Sequence, residues 1–175
     1  MDAITEKAKH IKLVVFDVDG VLTDGGLILG ESGNEYKIFH VRDGMGLVML
    51  RDNGFHLAVI TARSSRIVAE RMNSLGIEYV YQGQNNKADA LKELMKKLDV
   101  SKEETAYVGD DFLDIPAMHL AGFSITVADA HPLVRDHVDW VTQARGGRGA
   151  AREVCELLLE AHGKLAPLIQ QFLNE

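Results

Sequence analysis

The chain has 175 residues, 46% of them hydrophobic and 26% charged, with a formal net charge of −7. That length suits one domain able to bury most of its apolar surface. The acidic balance argues against nucleic acid and anionic membranes as partners, and no apolar run approaches the length of a membrane span.

The opening MDAITEKAKH is polar and mixed in charge. It shows neither a signal-peptide core nor an Arg-rich transit pattern, so the cytoplasm is the expected compartment. IKLVVF (11–16), HLAVIT (56–61), IEYVY (77–81), TAYVG (105–109) and FSITV (123–127) read as strands. They lack polar alternation, as strands buried on both faces of a mostly parallel sheet do. Helical patterns fall between them at 44–53, 64–75, 87–98 and 112–121, with Gly54, Gly76 and Gly122 at or just past helix ends. The alternation predicts a three-layer, Rossmann-like α/β sandwich.

Between the first strand and first helix, GGLILGESGNEYKIF reads as a β-hairpin insert over about 25–40, turning at Gly33-Asn34. RGGRGA, at 145–150, precedes a last helix, and the tail after Gly163 is amphipathic, so about 146–175 is a helix and tail. Arg148 lies in what reads as a flexible Gly-rich segment that could cover a neighbour's site. No linker or internal repeat divides the chain, so residues 1–175 read as a single domain. The one cysteine, Cys155, excludes an intrachain disulfide and reads as a buried structural thiol in VCELLL.

In α/β sheets ligands gather beyond the carboxyl ends of the strands. The first strand delivers Asp17, Asp19, Gly20, Thr23 and Asp24 there, and the second delivers Thr61, Ala62 and Arg63. Lys87 opens the helix after the third, and the fourth delivers Gly109, Asp110, Asp111 and Asp114. So many carboxylates in one crevice repel one another unless a cation sits among them. Oxygen ligands without His or Cys favour magnesium, for which Asp17, Asp110 and the main-chain carbonyl of Asp19 suffice. Asp17 is the candidate nucleophile towards phosphorus. Asp19 is the candidate general acid and base, its pKa expected to rise through crowding by Asp17 and Asp110. Thr61 and nearby backbone N–H groups are placed to bind phosphoryl oxygens, with Lys87 adding a charge-assisted contact. Asp111 and Asp114 are expected to orient the metal's water shell and the loop. Singly these features are weak: a DxD is common on loops, and GDDFLD could be only a helix N-cap. Together, on successive strand ends, they point to a magnesium-dependent phosphatase working through an aspartyl-phosphate.

FDVDGVLTDG, ITAR, Lys87 and GDDFLD resemble the four motifs of the haloacid dehalogenase superfamily, across residues 16–114. The resemblance implies the same nucleophile, acid/base and magnesium scheme. Most such phosphatases carry a cap domain. Here the segment from Asp24 to Asp43 holds only a hairpin, so no cap domain is expected. FDVDGVLTDG, the hairpin, KIFHVRDGMGL and GGRGAAREV together resemble the 3-deoxy-D-manno-octulosonate 8-phosphate phosphatases over nearly the whole chain. That second resemblance implies a phosphosugar substrate, a role in lipopolysaccharide precursor synthesis and a homotetramer. It implies substrate contacts at Asp19, His40, Val41, Arg42, Asp43, Gly44, Arg63, Arg71 and Lys87. For Arg71 a solvated helix face is an equal alternative, and His40 could serve only to position the hairpin.

A capless phosphatase for another acid sugar, such as an N-acylneuraminate 9-phosphate, is the nearest rival. A phospho-accepting receiver domain also combines carboxylates, Thr and Lys, but its phosphorylated Asp ends a middle strand. Here the second and third strands end in Thr61 and Tyr81. A catalytically dead binding module is opposed by the intact Asp17, Asp19, Lys87 and Asp110.

Overall fold

Buried strands with no polar alternation need a layer of helices on each face, and the computed structural model, which describes residues 3–174, supplies both. In chain order the elements are α1 (Ala3–Ala8), β1 (Leu13–Phe16), β2 (Ile28–Leu29), β3 (Glu35–Tyr36), α2 (Val41–Asp52) and β4 (His56–Ile60). There follow α3 (Arg66–Ser74), β5 (Tyr79–Tyr81), α4 (Lys87–Leu98), β6 (Thr105–Gly109) and α5 (Ile115–Leu120). The chain continues through β7 (Phe123–Thr126), α6 (Pro132–Arg135), β8 (Trp140–Val141), α7 (Ala150–Ala161) and α8 (Leu165–Asn174).

Six strands form one sheet in the order β5-β4-β1-β6-β7-β8, and every pairing in it is parallel. Successive strand side chains point to opposite faces, so each strand feeds two cores. Val14, Phe16, Val59 and Val108 pack with Leu47, Leu50, Met72, Val154 and Leu158, from α2, α3 and α7. Leu13, Val15, Ile60 and Tyr107 pack on the other face with Leu91, Leu94 and Met118, from α4 and α5. The three-layer α/β sandwich is as expected, and no cap domain stands among the described residues.

The sheet order also fixes where ligands can bind. From β1 the chain winds outward through β4 to β5, then returns to the other side of β1 at β6 and winds out to β8. The winding reverses beside β1, and the crevice beyond its carboxyl end is the switch point.

Several boundaries move. The helix expected from Gly44 begins at Val41, and those expected from Ser64 and Phe112 begin at Arg66 and Ile115. The short β8 and α6 carried too little pattern to be foreseen. Gly54 and Gly76 take positive φ as expected of helix-end glycines, but Gly122 does not. A Cβ at Gly122 would instead strike the backbone of Lys102 and Glu103, so the requirement there is close approach. The hairpin pairs Ile28 with Tyr36 and Leu29 with Glu35, and turns through Gly30 to Asn34. It lies outside the core: Leu27, Ile28, Leu29, Tyr36 and Ile38 are all about half exposed or more.

Candidate active site

Asp17 follows directly on β1, and its N–H is held by Val108 O of β6 at 2.9 Å. Its side chain enters a cavity of about 220 Å³ lined also by Asp19, Thr61, Ala62, Arg63, Lys87, Asp110, Asp111, Leu113 and Asp114. The strand ends therefore do converge as the sequence leads one to expect. Lys87, 3% exposed, reaches across from the first turn of α4 to Asp17 Oδ2 at 2.9 Å and Asp114 Oδ1 at 2.7 Å. Burial works against its charge, but Asp17 and Asp114 outweigh it and hold the ammonium above its ordinary pKa.

Asp114 is fully engaged. Its Oδ1 accepts from Lys87 Nζ and from the Tyr107 hydroxyl at 2.9 Å, and its Oδ2 accepts from Asp110 N at 3.1 Å and Asp111 N at 3.2 Å. It anchors the loop after β6 and fixes Lys87. Asp111 closes the same turn, accepting from Phe112 N at 2.8 Å.

Asp17 and Asp110 are different. Asp17 Oδ1 and Asp110 Oδ1 are buried with no hydrogen-bond partner among the described residues. Burial first, and then the Asp114 carboxylate, push Asp17 up to about 7 despite Lys87. Burial, Asp114 and Asp17 push Asp110 up to about 8. Oxygens of Asp17, Asp110 and Asp114 lie within 4.8 Å of one another. Since Asp114 is saturated by donors, Asp17 and Asp110 have the spare acceptor capacity, and a hard oxygen-seeking cation is the partner they lack. Gly20, at φ +93°, lets the loop pass over them: a Cβ there would run into the Asp110 carboxylate.

The crowding expected at Asp19 thus falls on Asp17 and Asp110. Asp19 instead faces cations, pairing with Lys37 of the hairpin and lying 3.8 Å from Arg63.

The remaining sequence-expected contacts form a second group outside this cavity. His40, Asp43, Gly44 and Arg71 line a small cleft with Phe39 and Leu47. Arg71 does not point to solvent: its Nε is buried without a partner, as is His40 Nδ1, and the guanidinium lies 6.0 Å from the Phe39 ring centroid. Gly44 is tight against Arg71. Asp43 is only 2% exposed, and its carboxylate accepts from Gly149 N at 3.2 Å and Arg152 N at 2.8 Å, capping α7. Val41 is 81% exposed and Arg42 is exposed.

Comparison with known proteins decides the family. A model of haloacid dehalogenase-like hydrolases matches residues 79–153. The 3-deoxy-D-manno-octulosonate 8-phosphate phosphatase KdsC of Escherichia coli K12 is 49% identical over 162 residues, 93% of this chain and 86% of the relative. The phosphatase of that name from Moraxella catarrhalis, solved with magnesium, phosphate and KDO, superimposes with a TM-score of 0.96. It is 46% identical, covering 98% of this chain and 99% of that one. The cobalt-bound Haemophilus influenzae phosphatase gives 0.92 at 44% identity, over 95% of this chain and 99% of that one.

The chain belongs to this phosphatase family.

Three features of the phosphatase escaped sequence reasoning. Glu35 and Lys37 reach the cavity rim from the hairpin, where Tyr36 and Ile38 alternate with them and point outward. That period of two was the available signal. Tyr107, read only as part of a strand, donates to Asp114. The Gly-rich segment read as flexible is a clasp on the β1 loop: Gly147 N donates to Val21 O at 2.8 Å, and a Cβ at Gly146 would strike Gly20 O. Arg148 pairs with Asp24 of its own chain at 3.1 Å.

Proposed function

We propose that this phosphatase hydrolyses 3-deoxy-D-manno-octulosonate 8-phosphate to the free sugar acid and phosphate, in lipopolysaccharide precursor synthesis. The observation that carries the reading is the buried Asp17, ion-paired to Lys87, with an unpartnered oxygen beside an equally unpartnered Asp110. Magnesium, held by Asp17, Asp110 and the Asp19 carbonyl, would supply neutralisation of phosphoryl charge at that spot.

Asp17 attacks phosphorus while Asp19 gives a proton to the departing sugar oxygen. Water then cleaves the aspartyl-phosphate, giving its proton to Asp19 and releasing phosphate. Thr61 and Lys87 bind phosphoryl oxygens as charge redistributes, with Asp114 holding Lys87 in place and Asp111 shaping the loop. Arg63 meets the sugar acid at the cavity rim.

His40, Val41, Arg42, Asp43, Gly44 and Arg71 lie outside that cavity, and the hairpin leaves its apolar side chains uncovered by its own chain. Both facts support a homotetramer in which hairpins dock and a neighbour's surface completes the substrate site. Of this second group, Arg71 and His40 have spare polar atoms to offer, whereas Asp43 shapes the segment by capping α7. No helix among the described residues is long and apolar enough to cross a membrane, which suits the cytoplasmic setting that the reading carries.

The test is phosphate release from a panel of phosphosugars, N-acylneuraminate 9-phosphate among them, with and without magnesium. The octulosonate 8-phosphate should be cleaved fastest, and only with the metal. Preference for the neuraminate ester would transfer the assignment to that substrate, and a full rate in chelator would end the mechanism.

A further inference from the structure

Lys37 is out of keeping with its surroundings. Tyr36 and Ile38 beside it are 55% and 51% exposed, yet its own side chain is 1% exposed. Its ammonium meets the Asp19 carboxylate, and Glu35 at 3.3 Å. Glu35 in turn takes Arg63 at 3.0 Å, and Arg63 returns to Asp19 at 3.8 Å. Asp19, Lys37, Glu35 and Arg63 thus close a ring of alternating charge across three segments: the loop after β1, the hairpin and the loop after β4. Partial burial pushes Glu35 up, but Lys37 and Arg63 outweigh it and hold its carboxylate below the ordinary range.

The four contacts are unequal. Arg63 is 48% exposed and its reach to Asp19 is long, so solvent weakens that hold. The Lys37 contact is close and shielded, and a shielded charge pair resists separation. A two-stranded ribbon with strands of two residues is also too short to fix its own register in water. Lys37 therefore fastens the ribbon to Asp19 as much as Asp19 to the ribbon.

Resting on the assignment of Asp19 as acid and base, we propose that Lys37 is a positioning residue that aims the Asp19 carboxyl at the leaving oxygen. Glu35 balances its charge, so the pair adds no net charge at the cavity rim. Through Lys37 the hairpin's seating is coupled to proton delivery. Lys37 lines no part of the cavity itself, which separates it from the groups that hold phosphate.

The experiment compares Lys37→Met, which keeps the stem and removes the charge, with Lys37→Arg. Single-turnover cleavage is measured on the sugar-acid phosphate, an alkyl ester whose leaving oxygen needs a proton, and on 4-nitrophenyl phosphate, whose leaving group does not. Lys37→Met should cleave the sugar ester about 10- to 100-fold more slowly, since misaimed general acid catalysis forfeits much of its advantage. The nitrophenyl ester should slow by less than about threefold, with KM for both esters within about threefold and Lys37→Arg restoring most of the rate. Equal losses on the two esters, or a raised KM alone, would show a hairpin prop or a phosphate ligand and overturn the proposal. Asp19→Asn is run in parallel. If it shows the leaving-group dependence and Lys37→Met does not, only the role of Lys37 falls; if neither shows it, the acid/base assignment falls too. Should Lys37→Met fail to fold, Lys37→Leu, which also removes the donor to Asp19 but fills the shielded space differently, carries the same comparison.

Discussion

Replacing Asp114 should be among the most damaging single changes in the phosphatase, although the proposed mechanism gives Asp114 no bond-making step. Four donors converge on its carboxylate: Lys87 Nζ, the Tyr107 hydroxyl and the amides of Asp110 and Asp111. Asp114→Ala strips one of two counter-ions from a lysine that is 3% exposed, and breaking such a buried pair costs roughly 3–5 kcal/mol. Each donor left dry adds about 1–3 kcal/mol, of which water entering the void recovers part. Relief of Asp17 and Asp110 acts the other way, because Asp114 raises both. The net loss is about 3–5 kcal/mol, which for a chain of this size lowers the melting midpoint by about 6–20 °C. Asp114→Asn should fare little better. Whichever way the amide turns, its NH2 faces either the Lys87 ammonium or the two loop amides, none of which can accept. Calorimetry at neutral pH with excess magnesium reads the stability, and phosphate release should fall by more than about tenfold because Lys87 is held by Asp17 alone. An Asp114→Ala protein melting within about 2 °C of the parent, with full turnover, would refute this account of the site.

Asp17→Asn should abolish turnover while leaving the fold intact, and beryllium fluoride should add to Asp17 in the parent protein only; full activity in the variant, deamidation excluded, would sink the nucleophile. Chelation should stop phosphate release and magnesium restore it, with Asp110→Ala raising the magnesium requirement or removing activity. Because folding raises Asp17 to about 7 and Asp110 to about 8, the metal-free fold binds more protons than the unfolded chain and loses stability as pH climbs from about 4 to 8. Magnesium should therefore raise the melting midpoint more at pH 8 than at pH 5, and an equal gain at both would contradict it. Charged residues in place of Ile28 and Ile38 should give smaller species on sizing columns and impair the sugar phosphate far more than a small generic ester; a fully active monomer with unchanged preference would separate assembly from recognition.

What could be read from the residues alone depended on how local the signal was. The bounds of α4 were legible to the residue because Asn86 caps Asp89 N and the apolar stripe of Ala90, Leu91 and Leu94 is unbroken. The start of α2 was placed three residues late, at Gly44, because His40 makes no side-chain cap that would mark Val41 as the first turn, although Gly44 and Gly46 were rightly read as helical. They lie within the helix because Arg71 and the α7 residues Arg152 and Cys155 pack too close for a side chain. The cavity was legible since each of its carboxylates follows a strand by one to five residues, and strand order sends them to one crevice. The charge ring was not, because its members come from three segments whose meeting depends on how the hairpin folds back.

The loop from Asp17 to Asp24 shows why such long-range terms matter to the chemistry. Its own hydrogen bonds are a tight knot in which Val18 O receives Val21, Leu22 and Thr23 N–H, and that knot alone leaves its orientation open. Two segments distant in sequence settle it. Gly146 and Gly147 press on Gly20 and Thr23 so closely that neither tolerates a Cβ, while Lys37 holds Asp19 from the hairpin. Arg148 adds an exposed pair to Asp24, worth less than about 1 kcal/mol by itself but placed where the loop leaves for the hairpin. Asp17, the proposed nucleophile, is therefore set by the sheet, through Val108 O, whereas Asp19, the proposed acid and base two residues later, is set by packing and charge from elements outside the sheet. A change in the hairpin or the glycine clasp should for that reason disturb proton transfer before it disturbs phosphoryl binding.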